Sequence, residues 1–274
     1  MKYVIDHDLH VHTYISPCSG DPEQTPERVL ADASAAGLKT VCLTDHYWDE
    51  LVSVGWDFYT GQTYERLSSL LPLPKKDGFE FLFGCEAEVS HDLTIGIGPE
   101  RYGAFDFINI PLTHFHMVPF TLTEEERNSI EAMARRWVER FDAVLASDLP
   151  KHKVGLAHLT DVLMSKNDSS PGGALEMIDL IPTEELHRLF REAARQGIGI
   201  ELNFWVKSMS DFELDRMFRV YRVAKEEGCK FYFGSDRHGA GDYAEQIEDW
   251  ERTVDILGLE ESDKYHVGGS LKLI

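Results

Sequence analysis

Short apolar runs of strand length recur along this chain, and almost every one ends in histidine, aspartate or glutamate. Tyr3-Val4-Ile5 leads into Asp8-Leu9-His10-Val11-His12-Thr13, and Thr40–Thr44 into Asp45-His46. Phe79–Phe83 runs through Gly84-Cys85 into Glu86-Ala87-Glu88, and Phe105–Leu112 into Thr113-His114-Phe115-His116. Lys153–Ala157 delivers His158, Ile198–Leu202 carries Glu201 to Asn203, and Lys230–Gly234 precedes Ser235-Asp236-Arg237-His238. Helical segments separate these runs. Thr25-Pro26-Glu27 opens one that stops at Gly37, with a Thr cap and Pro in the first turn. Thr63–Leu71 is another, broken by Leu71-Pro72-Leu73-Pro74. Thr123-Glu124-Glu125-Glu126 is a capping box that predicts one long helix to about Ser147. Thr183–Gln196 ends at Gly197, Ser210 caps a helix ending at Gly228, and a last helix starts near Asp242. Ser165–Gly173 reads as a polar loop.

About seven β-then-α units without an internal linker predict one domain over 1–274 with a parallel sheet. At 274 residues, close to the roughly 250 typical of a (β/α) barrel, a closed or nearly closed TIM-like barrel is favoured over an open doubly wound sheet. In barrels the carboxyl ends of the strands share one face, and that face holds the active site. His10, His12, His46, Glu86, His114, His158, Asp236 and His238 would therefore converge. His10 and His12, two apart on one strand, present their rings side by side. Each residue alone has a plain structural reading, as a core histidine, turn aspartate or helix cap. The set does not, because nearly every strand body is apolar while its end is a metal donor. A zinc ion takes about three protein ligands, so eight donors predict two or three divalent ions, with a carboxylate bridging.

The net charge of −21 disfavours long nucleic acids, and an anionic substrate would need local positive charge. Cys18, Cys42, Cys85 and Cys229 form no C-x-x-C pair and read as reduced thiols of a cytoplasmic protein. No run suggests a signal peptide or membrane span.

The motifs Asp8-x-His10-x-His12-Thr13, Thr44-Asp45-His46, Gly84-Cys85-Glu86-Ala87, His158 and Gly234-Ser235-Asp236-Arg237-His238 together resemble the PHP (polymerase and histidinol phosphatase) family over almost the whole chain. The resemblance implies a distorted (β/α)7 barrel whose two or three ions, usually zinc, manganese or iron, hydrolyse phosphate esters. It implies that His10, His12, Glu86 and Asp236 hold one ion. Glu86 would bridge to a second shared with His114 and His158, and His46 and His238 would hold a third. The family commonly adds a histidine or aspartate from the loop after the first strand; here Cys18 stands near that offset, with Asp21 as its rival.

The expected reaction is hydrolysis of a small phosphate monoester by attack of a metal-bound hydroxide, as in histidinol-phosphate phosphatases. A phosphodiesterase acting on a nucleotide or short oligonucleotide, and a non-catalytic metal-binding module, remain alternatives. Asp8 and Asp45 are placed to orient ligand rings. Arg237 is the first candidate for clamping phosphate, with Lys207 behind it. His116 and His91 are candidates for protonating the leaving group, and the aromatic loop Tyr47–Tyr59 for a pocket wall.

Overall fold

A computed structural model describes residues 1–160 and 171–269. Strands β1 (His7–Val11), β2 (Thr40–Leu43), β4 (Glu80–Ala87), β5 (Phe107–Pro111), β6 (Val154–Ala157), β7 (Gly199–Leu202) and β8 (Lys230–Phe233) are parallel neighbours in that order. β2 pairs with the first half of β4. After a break at Thr44-Asp45 the two-residue β3 (His46–Tyr47) pairs with its second half. The sheet closes at its carboxyl rim. There the His12 amide donates to the Arg237 carbonyl at 3.1 Å and the Asp236 amide to the His10 carbonyl at 2.8 Å. β1 shifts register between Asp8 and Val11. This is the nearly closed seven-stranded barrel that the strand count predicts.

Helices α1 (Pro26–Ala35), α2 (Tyr64–Ser68), α3 (Glu124–Arg127), α4 (Ile130–Ala146), α5 (Pro171–Asp179), α6 (Thr183–Gln196), α7 (Asp211–Glu226) and α8 (Ala244–Leu257) accompany the strands. Their starts follow local chemistry. Thr25 accepts a hydrogen bond from the Arg28 amide, and both Thr123 and Ser210 form the reciprocal box with the Glu three residues on. α4 buries Trp137, Phe141, Val144 and Leu145 along one face.

Three expectations are corrected. The helix predicted from Thr123 to Ser147 is two helices, because Asn128 ends α3 and Ser129 caps α4 by accepting from the Ala132 amide. Of the loop expected at Ser165–Gly173, residues 165–170 lie outside the described residues, whereas Pro171 starts α5; proline is tolerated in a first turn. The crossover from β4 to β5 carries only a short 3-10 turn, Pro99–Arg101, in place of an α-helix.

The lower half of the barrel is filled by Leu9, Cys42, Phe107, Tyr232 and Tyr265. Tyr232 reaches across from β8, packs edge-on against Phe107 at 5.3 Å, and donates its hydroxyl to Asn109 Oδ1 at 2.7 Å. Gly155 makes room for it: a Cβ there would lie 2.3 Å from the Tyr232 oxygen.

Candidate metal centre

The strand ends above this aromatic layer converge on Glu86, which is 1% exposed at the end of β4. His46 Nδ1 lies 2.8 Å from its carboxylate, and the Nε2 atoms of His158, His12, His10 and His114 lie at 3.0, 3.5, 3.7 and 3.9 Å. Five imidazoles thus surround one carboxylate. Asp236 Oδ1 stands 3.0 Å from His12 Nε2 and 3.4 Å from His10 Nε2. His238 stacks on His12 at 4.2 Å between ring centres. Donor atoms gather in four overlapping groups: His10/His12/Glu86, His10/His158/Asp236, Glu86/His114/His158 and His12/His46/His238. His158 and Asp236 adopt left-handed backbone, with φ of 32° and 52°, a strain that is held where structure over-determines it, as at functional sites.

The outward nitrogens settle which lone pairs face inward. His10 Nδ1 donates to Glu201 at 2.7 Å and His114 Nδ1 to Glu88 at 2.6 Å; a carboxylate can only accept, so Nδ1 carries a proton in both rings and Nε2 is the atom each can offer an ion, once any second proton has left. His12 Nδ1 meets the Ser16 hydroxyl at 3.0 Å, and that hydroxyl donates onward to Asp45 at 2.7 Å. His158 Nδ1 meets Thr113 at 2.6 Å, and His238 Nδ1 donates to the Asp236 carbonyl at 2.7 Å. His10 Nε2 and His12 Nε2 then face each other 3.1 Å apart. His46 Nδ1 and Glu86 Oε2, though close, make no hydrogen bond to any neighbour. Buried lone pairs aimed at one another are costly alone, and cations among them relieve that cost. The donor set therefore fits transition metals, nitrogen-rich as zinc sites are.

The charges agree. Burial raises the Glu86 pKa, but His46 and His10 outweigh it and hold the carboxyl well below its usual range. Burial lowers His158, but its bond to Glu86 carries it up to about 9. Burial lowers His12, and His238 and His46 push it lower still. Carboxylates thus gather positive charge here, and protons must leave when metal binds.

The remaining candidates separate. Cys18 Sγ sits 3.2 Å from His46 Nε2; burial opposes its ionisation, but hydrogen bonds with His238 and His46 lower its pKa to about 7. Its rival Asp21 instead accepts the Ala240 and Glu23 amides and latches the loop. Asp45 acts on His12 only through Ser16, and Asp8 touches no imidazole. Asp8 accepts from Ser235, Tyr243 and the His10 amide, fastening the seam where the barrel closes. Arg237 lies 4.1 Å over the Tyr243 ring, with Nη2 donating to the Gly241 and Asp242 carbonyls. Lys207 is paired with Glu248 at 2.5 Å, and His116 is exposed with its ring 5.5 Å from that of His114.

Glu201 and Glu88 were missed as functional residues. Glu201 also accepts the His158 amide at 2.6 Å, and Gly234 is required beside it, since a Cβ there would fall 2.0 Å from Glu201 Oε1. The readable signal was an acid inside the apolar run Ile198–Leu202.

A carboxylate ringed by imidazoles on the carboxyl face of a parallel barrel is a donor cluster that could hold metal, the kind of site a metal-dependent hydrolase requires. The chain belongs to the PHP domain family, which its residues 8–204 match. It is 26% identical over 276 residues to a probable histidinol-phosphatase of Deinococcus radiodurans, covering 92% of this chain and 93% of that one. A probable phosphatase of Caldicellulosiruptor saccharolyticus is 23% identical over 242 residues, 86% and 82% of the two chains. Among solved structures, histidinol phosphate phosphatase from Lactococcus lactis, complexed with zinc, L-histidinol and phosphate, superposes with a TM-score of 0.57 at 17% identity, covering 95% and 98% of the chains. A putative histidinol phosphatase from Listeria monocytogenes gives 0.56 at 13% identity, covering 86% and 96%.

Proposed function

We propose that this protein is a metal-dependent phosphatase of small phosphate monoesters, with histidinol phosphate the first substrate to test. The observation that carries this reading is Glu86 among five imidazoles. His10, His12, Glu86 and Asp236 would hold one ion, Glu86, His114 and His158 a second, and His46, His238 and Cys18 a third. Zinc suits the nitrogen-rich set and the thiol. Bound ions supply an activated water and positive charge for the phosphoryl oxygens.

The chain's own residues position the ester. A cavity of about 840 Å³ adjoins Asp236, walled by Phe204, Trp205 and Met209, with Asp242 and Glu245 at its side and Arg237 as the one cation among its described lining residues. Apolar walls with carboxylates fit a leaving alcohol that carries a protonated nitrogen, and Arg237 fits the phosphoryl end. The probable histidinol-phosphatase that the chain resembles over nearly its full length supports this choice. No helix among the described residues is long and apolar enough to cross a membrane.

The test is metal analysis of the purified protein together with phosphate release from histidinol phosphate, p-nitrophenyl phosphate and bis(p-nitrophenyl) phosphate. The expected result is about two to three metal equivalents and hydrolysis of the monoesters, histidinol phosphate fastest. Faster cleavage of the bis ester would make the protein a phosphodiesterase. Well under one equivalent would remove the centre altogether.

A further inference from the structure

Glu88 follows Glu86 by two residues and is fully buried, as is Arg140 from α4, which pairs with it. Glu88 Oε2 accepts both the His114 ring at 2.6 Å and the Tyr59 hydroxyl at 3.1 Å. Its other oxygen takes the Val89 amide at 2.8 Å and the Arg140 guanidinium. Arg140 also donates to the Pro111 carbonyl at 2.9 Å, bracing the end of β5 just ahead of His114. Burial raises the Glu88 pKa, but Arg140 and His114 outweigh it, so the group stays a carboxylate.

A buried ion pair is a poor device for stability alone. Its desolvation costs as much as its attraction returns, and an apolar pair of the same shape often does better. What Glu88 does that an apolar side chain could not is fix the proton of His114 on Nδ1 and aim Nε2 at Glu86. Its third partner lies elsewhere. Tyr59 belongs to the aromatic loop and packs with Trp48, Met117, Trp56, Phe58 and Phe120 in a cluster separate from the main core. Phe58 stands edge-on to His46 at 5.1 Å. Among the described residues, Glu88 is therefore the one carboxylate that touches a donor histidine, a helix cation and this loop together.

We propose that Glu88 is the positioning residue for the ion site made by Glu86, His114 and His158, and that through Tyr59 it couples the affinity of that site to the seating of the aromatic loop. The coupling rests on the metal centre proposed above, and it is reciprocal: a seated loop strengthens that site, and an ion there tightens the loop.

The test is graded chelator competition on the metal-loaded protein, with metal retained and tryptophan emission read together. In Glu88→Gln one metal equivalent should be released at about ten- to a hundredfold lower chelator concentration, the others being held as in the wild type. Tyr59→Phe, which removes only a hydroxyl, should weaken the same equivalent by a smaller factor. In the wild type, release of that equivalent should change the emission of Trp48 and Trp56; in Tyr59→Phe the change should be largely lost. Wild-type release in both variants overturns the proposal while leaving the centre intact, whereas a wild-type protein that holds no metal overturns the centre itself. If Glu88→Gln does not fold, Tyr59→Phe decides alone: release at lower chelator concentration supports the coupling, and wild-type release with a wild-type emission change overturns it.

Discussion

The two halves of the barrel are equally buried and opposite in content. The lower half, around Phe107, Tyr232 and Tyr265, is close-packed aromatic surface. The upper half carries Glu86, Glu88 and Glu201 with His10, His12, His114 and His158, all at most 5% exposed. Burying an aromatic side chain favours folding, whereas burying donors with lone pairs turned on one another opposes it. The same strands supply both layers, Phe107 at the start of β5 and His114 beyond its end, so stability and chemistry are divided along the barrel axis. The rim sits on this close-packed layer, and outward hydrogen bonds from His10, His12, His114 and His158 tie the imidazoles to the strands and loops around them.

The sharpest way to break this division is Glu86→Gln. If the upper half is a metal centre, loss of the shared charged ligand should remove more than one metal equivalent. Phosphatase turnover should fall by well over a hundredfold, more than the roughly ten- to hundredfold cost of losing an outer hydrogen-bond partner. Wild-type metal content and turnover in this variant would return Glu86 to a structural role.

The converse change lies one layer down. Gly155→Ala places a methyl 2.3 Å from the Tyr232 hydroxyl oxygen and 2.5 Å from the Phe107 ring. Overpacking of that kind costs about 1–3 kcal/mol, to be read by urea unfolding. Metal equivalents per folded protein should not change. If they fall along with stability, the halves are one cooperative unit and the division fails.

The upper half was far more legible in the sequence than its supports. His10, His12, His46, Glu86, His114, His158, Asp236 and His238 stand out because each terminates an apolar run, and a barrel brings strand ends together whatever the details of packing. Their hydrogen-bond partners carry no such mark. Glu88 reads as a continuation of Glu86-Ala87, and Arg140 as one more charge on an amphipathic helix; only the docking of α4 against β4 and β5 makes them a pair. Lys207 shows the same limit in reverse, since its partner Glu248 comes from α8, about forty residues away. Of the helices, α5 was hidden by Pro171-Gly172-Gly173, which reads as a turn. The α3–α4 break was readable, because Asn128-Ser129 is a stop followed by a cap.

The smallest expected effect belongs to the floor of the barrel and tests whether its electrostatics are independent of the rim. Asp6, just before β1, lies 3.0 Å from His7 Nδ1 and 3.1 Å from Lys264 Nζ, on the segment that carries Tyr265. Burial raises its pKa, but the hydrogen bond and charge of His7 and the charge of Lys264 outweigh it and lower it to about 2. A depressed carboxyl stabilises the fold above its unfolded value near 4, and that stability is lost as pH falls through the folded value near 2. The full shift would correspond to about 2.4 kcal/mol. With the Asp6 side chain 34% exposed, solvent screening reduces this to roughly 1 kcal/mol. Asp6→Asn should therefore be about 1 kcal/mol less stable than wild type at neutral pH, and the gap should close between pH 4 and pH 2. The gap at neutral pH should be the same before and after metal is stripped, because no candidate ligand touches Asp6. A gap that widened on stripping would show that the floor responds to the charge of the centre, and the two halves would then share one electrostatic field.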